Sequence, residues 1–563
     1  MSKREGGKVV AKEGPGTGDP AQLFDYVIAG AGAAGCVLAN RLSEDGRFRV
    51  ALVEAGGPDK HPLVHIPAGV AGLIGHPEMD WRYATVPQPG AAGRRIPLPR
   101  GRVLGGCTST NGMVYFRGHP RDYDEWAALG CVGWSYAELL PYFTRSEANI
   151  VFNGPWHGTD GPMRVSSYHR PNPLVDRFLQ AGANMGHRVV EDFNGPDPTG
   201  FGVRQATIRK GRRESSATAF LRPAQGRPNL SVITGALVDR ILFEGRRATG
   251  LEIRKNGEKI AFTATREVIL SAGSYGSPAI LQRSGVGDAN RLAALGIPAR
   301  HHLPAVGARL QDHLVAPVQM RTRSNLPYVV DWRVIPRLIG NAAEYVLLRR
   351  GPLASNIFEA TGFVHTSRAE QRPDLQLIFM PMHRGPRLVP IERGYGILVA
   401  LLRPQSSGEV HIASADPGEA PLIDPAFLSH PDDLALLTEG LGIARHVLTN
   451  AAFAGLGSSE CLPGAHVTEK PALEDFIRHN CVTVHHPTGT CHMGAEDHCV
   501  TDPALRVRGV EALRVVDASV MPRIVGGNTA APVIMIAEKA SDLILKKSPS
   551  PAAHLRSAPI QGE

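Results

Sequence analysis

The sequence predicts an α/β protein with added α+β elements: a Rossmann-like nucleotide-binding domain joined to a second domain assembled from separate stretches of chain. Three observations predict it. A short apolar strand, Phe24 to Ala29, runs into Gly30-Ala31-Gly32-Ala33-Ala34-Gly35. A helical stretch from Cys36 to Leu42 and a second strand, Arg49 to Val53, follow and end at Glu54. Further strand-rich blocks return much later, and 563 residues are too many for one ordinary core.

Each part of the turn has a physical purpose. Gly30 permits a tight turn off the strand, Gly32 lets backbone approach a pyrophosphate, and Gly35 lets the helix pack closely on the sheet. The N-terminus of the helix that follows then turns free N–H groups and a positive dipole toward phosphate, and Ala33 and Ala34 of the turn are cofactor-binding candidates. Glu54, 19 residues past Gly35, ends the next strand, where a carboxylate can bind ribose hydroxyls. Glycine turns are common in loops. The flanking strand, helix and acid are what make this one specific, and the acid favours FAD or NAD over NADP.

Turn residues dominate from Pro58 to Arg100, which reads as an extended excursion. A strand-rich block covers Leu230 to Ala272, and residues 315–480 mix strand and helix patterns. A buried strand, Leu513 to Val516, and a helix, Pro532 to Leu545, close the ordered chain. Met1 to Pro20 has charges but no apolar core of a secretory signal, so it reads as a flexible leader. The Ser/Pro/Ala-rich tail after Lys546 reads as disordered. No run approaches the ~20 apolar residues that cross a bilayer.

The formal charge of +8 is mild for so large a surface and fits a solvated basic face. No aromatic-and-basic pattern points to nucleic acid. One local excess stands out: Arg321 to Arg350 holds six arginines and two acids among Trp332, Ile335, Leu338, Ile339 and Leu347. That composition fits peripheral docking on an anionic membrane surface, and it fits a lid over a pocket. The seven cysteines (36, 107, 131, 461, 481, 491 and 499) form no compact framework. Reduced thiols in a cytoplasmic protein, with or without contact to the inner face of the membrane, are expected.

Three further segments separate FAD from NAD. They are Gly101-Arg102-Val103-Leu104-Gly105-Gly106-Cys107-Thr108-Ser109-Thr110-Asn111-Gly112-Met113; Gly273-Ser274-Tyr275-Gly276-Ser277-Pro278; and His485-His486-Pro487-Thr488-Gly489-Thr490-Cys491-His492-Met493-Gly494, followed by Val516-Asp517-Ala518-Ser519 and Gly527-Asn528-Thr529. With the glycine turn, and in this order, they resemble the glucose–methanol–choline oxidoreductase family from about Phe24 to Leu545. Within it the chain looks closest to bacterial choline dehydrogenases and FAD-dependent alcohol dehydrogenases that use an acceptor.

The resemblance implies an FAD-binding domain of residues 23–165, 225–315 and 481–545. It implies a substrate-binding domain of 166–224 and 316–480 on an antiparallel sheet, a leader of 1–22 and a tail of 546–563. It places Ala55 beside Glu54, and Val103 and Gly105 to Val114 around the flavin, with Asn111, Gly112 and Met113 against the ring. Val238 falls at the adenine end, Asp517 and Ala518 by the ribityl and pyrophosphate, and Asn528 and Thr529 by the flavin. Some members link the flavin covalently through a histidine just before the asparagine matching Asn111. Thr110 stands there and cannot form that bond, so FAD is expected to be non-covalent.

Alcohol oxidation needs a base for the hydroxyl proton, and histidine titrates near neutrality. By family position the base is His486 and its partner Asn528. Asn528 also precedes an apolar-periodic helix, so a capping role is expected beside the catalytic one. Glu359 and His485 are candidate substrate-side residues; Glu359 matches a glutamate of choline-oxidising and aliphatic-alcohol relatives alike. Cys491, His492, His498 and Cys499 lack paired metal-ligand spacing, so no metal is expected.

The family resemblance thus implies oxidation of a primary alcohol to an aldehyde, with electrons passed to a quinone or another carrier. An O2-using alcohol oxidase and a flavin-holding lyase are the alternatives. Photodecarboxylation relies on a substrate-domain cysteine in its known members, and this chain has none between Cys131 and Cys461.

Overall fold

Strand Gln22–Ala29 occupies the middle of a seven-stranded sheet because both of its faces are apolar: Val27, Ile28 and Ala29 are wholly buried. The computed structural model describes residues 22–330, 334–369, 371–383 and 390–547. The expected leader and tail therefore lie outside the described residues except for Gln22, which begins this strand, and Lys546 and Lys547. Trp332 also lies outside them. Strands run in the order 230–233, 50–53, 22–29, 258–270, 247–255 and 237–244. The first four pair in parallel, and 258–270, 247–255 and 237–244 form an antiparallel meander. The late strand Leu513–Val515 pairs parallel to 258–270. Ala29 lies opposite both Val53 and Leu270, so the carboxyl ends of these strands are level. In open α/β sheets ligands bind beyond those ends.

Helix Ala33–Leu42 starts three residues earlier than the sequence suggested, immediately after Gly32. Gly30 takes φ +98°, and a Cβ there would lie 2.5 Å from the Ser271 carbonyl oxygen. A Cβ on Gly35 would lie 1.9 Å from the Gly30 carbonyl oxygen, so the helix rests directly on the turn. Helix Ala530–Leu545 begins two residues before the expected Pro532. Arg41 bonds Glu538 at 2.8 Å, and Arg145 bonds Glu538 and Asp542 at the same distance. These bonds join helix Ala33–Leu42 and helix Tyr136–Ser146 to the late helix. The excursion from 58 to 100 holds short helices at Pro62–His65 and Val70–Leu73 and a two-residue strand pair.

A second seven-stranded sheet is antiparallel throughout, in the order 459–462, 314–321, 394–401, 375–380, 360–364 and 200–203, with 482–483 also on 314–321. The expected domain cuts at 315 and 481 thus fall at strands of this sheet. Its side chains alternate faces with period two. Leu375, Leu377, Phe379, Ile397 and Val399 pack with Leu437 and Leu441 of helix Pro431–Leu448. Val315, Ile378, Met380, Leu398 and Ala400 cluster on the other face. Three of these, Val315, Ile378 and Leu398, form part of a cavity wall.

Because the Gly35 contact leaves no room for a methyl group, Gly35→Ala should lower stability by about 1–3 kcal/mol. Gly57→Ala, where nothing lies within 4 Å of the added carbon, should change it little. Denaturant unfolding of both variants checks this, and equal losses would contradict it.

Candidate active site

One cavity runs from the glycine turn of the first sheet to the inner face of the second. Gly30, Gly32, Ala33, Ala34, Glu54, Ala55, Asn111, Gly112, Met113, Val114, Val238, His485, His486, Asp517, Ala518, Asn528 and Thr529 line it. Gly35, Val103, Gly105 and Glu359 do not. Gly35 packs beneath the turn, and Val103 is wholly buried beside Gly57. Gly105, at φ +88°, donates its N–H to the Ala31 carbonyl at 2.8 Å and so backs the turn from behind. Glu359 is buried with its carboxylate accepting from Asn172 N (2.7 Å), Ser355 Oγ (2.5 Å) and the Tyr328 hydroxyl (3.1 Å). Its oxygens are committed to the scaffold.

The groove at the turn suits a dinucleotide. No side chain caps the helix at Gly32, and a Cβ on Gly32 would meet only the Ser271 carbonyl oxygen, at 3.9 Å. Glu54 accepts from Ala31 N and Gly56 N, both at 2.8 Å, and burial pushes its carboxyl up. Each of its oxygens keeps a lone pair for a sugar hydroxyl. Asp517 accepts from Gly273 N (2.9 Å), Ser277 Oγ (2.6 Å) and Ser519 N and Oγ (2.8 and 2.5 Å). These bonds tie the C-terminal segment to the Gly273 helix. In the 105–114 loop, Met113 sits at φ +56°, braced by its N–H on Asn111 Oδ1 at 2.9 Å. Buried Arg213 donates to the carbonyls of Thr108 and Asn111, at 3.2 and 2.6 Å.

At the far end, Asn528 Nδ2 lies 3.0 Å from His486 Nε2, and His486 Nδ1 lies 3.0 Å from His313 Nδ1. His313 Nε2 reaches the Leu402 carbonyl at 3.1 Å. An amide nitrogen can only donate and a carbonyl can only accept, so the two ends of this line settle its protons. His486 carries its proton on Nδ1 and presents the Nε2 lone pair. Burial first, then the nearby imidazoles and guanidinia, hold His486 well below the usual histidine range; His313 is pushed down to about 4. The Asn528 Oδ1 atom is buried without a partner among the described residues.

The turn carrying His486 is itself held. Asp312 accepts from His486 N at 2.7 Å and Thr483 Oγ1 at 2.5 Å, and burial pushes its carboxyl up to about 6. His485 adopts φ +68°; its N–H donates to Thr483 Oγ1 at 2.8 Å and its carbonyl accepts from Arg100 at 2.6 Å. The capping role expected of Asn528 is corrected: the helix begins at Ala530, so Thr529 occupies the N-cap, without a side-chain bond, and Asn528 lies one residue outside it. Among the residues weighed as zinc ligands, His492, His498 and Cys499 bring ligand atoms within 4.8 Å of one another, and none lines the cavity.

Sequence reasoning missed Asp312, His313, Arg204 and Arg213. The adjacent acid and histidine in Gln311-Asp312-His313 were the one available signal; for the arginines there was none.

Residues 24–315 and 404–537 match the N- and C-terminal profiles described as GMC oxidoreductase. An "alcohol dehydrogenase [acceptor]" of Pseudomonas putida is 42% identical over 93% of this chain and 96% of its own length. An "oxygen-dependent choline dehydrogenase" of Brucella anthropi is 41% identical with the same coverage. A formate oxidase of Aspergillus oryzae, studied for modification of its FAD, superposes with a TM-score of 0.88 at 27% identity, covering 94% of this chain and 99% of that one. FAD is the cofactor this kinship implies, and the open groove at Gly32, the free lone pairs of Glu54 and the unpartnered Asn528 Oδ1 fit it.

Proposed function

The chain belongs to the GMC oxidoreductase family, and we infer that it oxidises a primary alcohol to an aldehyde, passing the electrons to a quinone or another carrier. The observation that carries this reading is the 3.0 Å contact of Asn528 Nδ2 with His486 Nε2 inside the cavity. A hydroxyl entering there replaces that contact with two. Its O–H donates to the His486 lone pair, and its oxygen accepts from Asn528. His486 then takes the proton, which weakens the neighbouring C–H bond. Bound FAD supplies the two-electron hydride acceptor. His313 accepts from His486 Nδ1–H and so keeps the reactive tautomer in place. The N-terminus of helix Ala530–Leu545 borders the cavity, where its dipole favours negative charge.

Thr110 lines the cavity at the position where covalently flavinylated relatives carry histidine, which supports non-covalent FAD. Helix Ile335–Leu348 supports the membrane contact: among its residues only Tyr345 is buried, while Ile335, Ile339, Val346, Leu347 and Leu348 are exposed near Arg337, Arg349 and Arg350. No residue of that helix lines the cavity. An apolar face edged with arginines suits an anionic lipid surface, where a lipid-soluble quinone is at hand. Among the described residues no helix is long and apolar enough to cross a membrane.

Acid or heat should release intact FAD into the supernatant; flavin retained by the precipitated polypeptide would refute non-covalent binding. In anaerobic stopped-flow reduction by an active alcohol, His486→Ala with FAD retained should be slower by ~10²–10⁴-fold. His485→Ala should do much less, and Asn528→Ala should fall between them. Because His486 is held neutral, the rate should stay level as pH falls through ~6.5, the ordinary histidine value, and drop only below it. A larger effect of His485→Ala would move the base by one residue. Vesicles containing phosphatidylglycerol should co-sediment the protein, phosphatidylcholine vesicles should not, and Leu347→Asp should abolish binding; equal binding to both lipids would remove the electrostatic half of the argument.

A further inference from the structure

Arg204 directly follows the edge strand Gly200–Val203, and its N–H donates to the Glu359 carbonyl at 2.9 Å. This bond fixes the backbone beside the second sheet and turns the side chain into the cavity, where the residue is only 2% exposed. Neither Nε nor Nη2 has a hydrogen-bond partner among the described residues. The other buried arginines differ. Arg117 pairs with Glu147, Arg514 with Glu267, and Arg213 with three carbonyls. The carboxylate nearest in sequence to its backbone partner, that of Glu359, is taken up by Asn172, Ser355 and Tyr328. Burial pulls the Arg204 pKa down to about 10, which leaves it charged at neutral pH, and the Tyr168 phenol is the one group that opposes the fall.

A desolvated guanidinium with open donors lacks an anion. Arg204 lies beside the 111–114 loop, since the next residue, Gln205, accepts from Tyr115 N at 3.0 Å, and it lines the cavity together with Val114 and His486. The cavity walls Val315, Phe358, Ile378, Leu398 and Val484 are apolar. Such a surface suits a hydrocarbon segment that ends in one negative charge, and a fixed buried cation repels a quaternary ammonium. We propose that Arg204 is an anion-recognition element of this cavity and that the substrate is a hydroxycarboxylate: a primary alcohol joined through an apolar stretch to a carboxylate. This deepens, and rests on, the reading of the cavity as an alcohol-oxidising site.

The test separates binding from turnover. Hexanoate, which has no hydroxyl to oxidise, is titrated into the FAD-loaded protein and followed by calorimetry and by perturbation of the flavin spectrum, beside hexyltrimethylammonium. Hexanoate should bind and the ammonium should not; the reverse preference overturns the proposal without any variant. Arg204→Met, checked for FAD content and melting temperature, should weaken hexanoate by roughly 10- to 100-fold, the loss expected for charge-assisted hydrogen bonds. Arg204→Lys should recover part of it. In anaerobic reduction, the same change should lower kcat/KM for 6-hydroxyhexanoate by a similar factor and for 1-hexanol by less than about threefold. Equal losses for both alcohols would place the guanidinium on the reaction itself and overturn the proposal. Hexanoate binding that depends on Arg204, with no alcohol reducing the flavin, would keep the anion site and refute alcohol oxidation.

Discussion

The site depends on one pairing: strand Leu513–Val515 lying parallel to 258–270, with Val268 opposite Leu513 and Leu270 opposite Val515. Before that pairing forms, the glycine turn and Asn528 are separated by nearly 500 residues. Once it forms, Asp517 emerges at the carboxyl end of the sheet. There its carboxylate gathers Gly273, Ser277 and Ser519 and brings the C-terminal segment against the groove. Helix Ala530–Leu545 then packs along helix Ala33–Leu42, and buried Glu538 accepts both Arg41 and Arg145. The Gly35 contact sets how deep the first helix sits. Closure of the sheet therefore precedes any chemistry.

Burial works on the titratable groups at the reactive end in one direction, toward neutrality. His486 and His313 are pushed down and Asp312 up. For the histidines the linkage has a definite sign. The unfolded chain takes up protons below ~6.5 and the folded site does not, so this contribution to stability is present above that pH and is lost as pH falls. For His313 the loss extends to about 4. A neutral pair in this setting can hold a lone pair ready for a proton without the cost of a buried charge. Arg204 is the contrast, a cation kept in the same cavity without a counter-charge.

What could be read in the sequence follows from distance along the chain. The strand, the glycine turn and Glu54 lie within about 33 residues, and their spacing encodes a local unit whose physics is self-contained. Its largest boundary error, the start of the helix at Cys36 instead of Ala33, arose because glycine and alanine carry no apolar periodicity. His486 and Asn528 came from family position, and the cavity holds both. His313 was hidden because its partner lies 173 residues away. Arg204 was hidden because an arginine at the end of a short strand reads as surface until the second sheet closes over it. Glu359 was legible as a residue type but not as a role, since three donors that occupy it come from three separate segments.

The two sheets divide the labour, and His486 sits where they meet. Residues 482–483, just before it, pair with strand 314–321 of the second sheet, while 513–515, further along the chain, belong to the first. The first sheet provides the groove at the glycine turn. The second provides the apolar wall of Val315, Ile378 and Leu398 and, at its edge strand, Arg204. His486 is anchored through its backbone N–H on Asp312 rather than by the wall. Side chains on the inner face of the second sheet alternate with those that hold helix Pro431–Leu448. A substitution there changes the shape or charge met by a substrate without disturbing the helix side of the core or the His486–Asn528 contact. Similar proteins are named for an alcohol, choline and formate, which agrees with a fold that does not by itself fix what its site recognises.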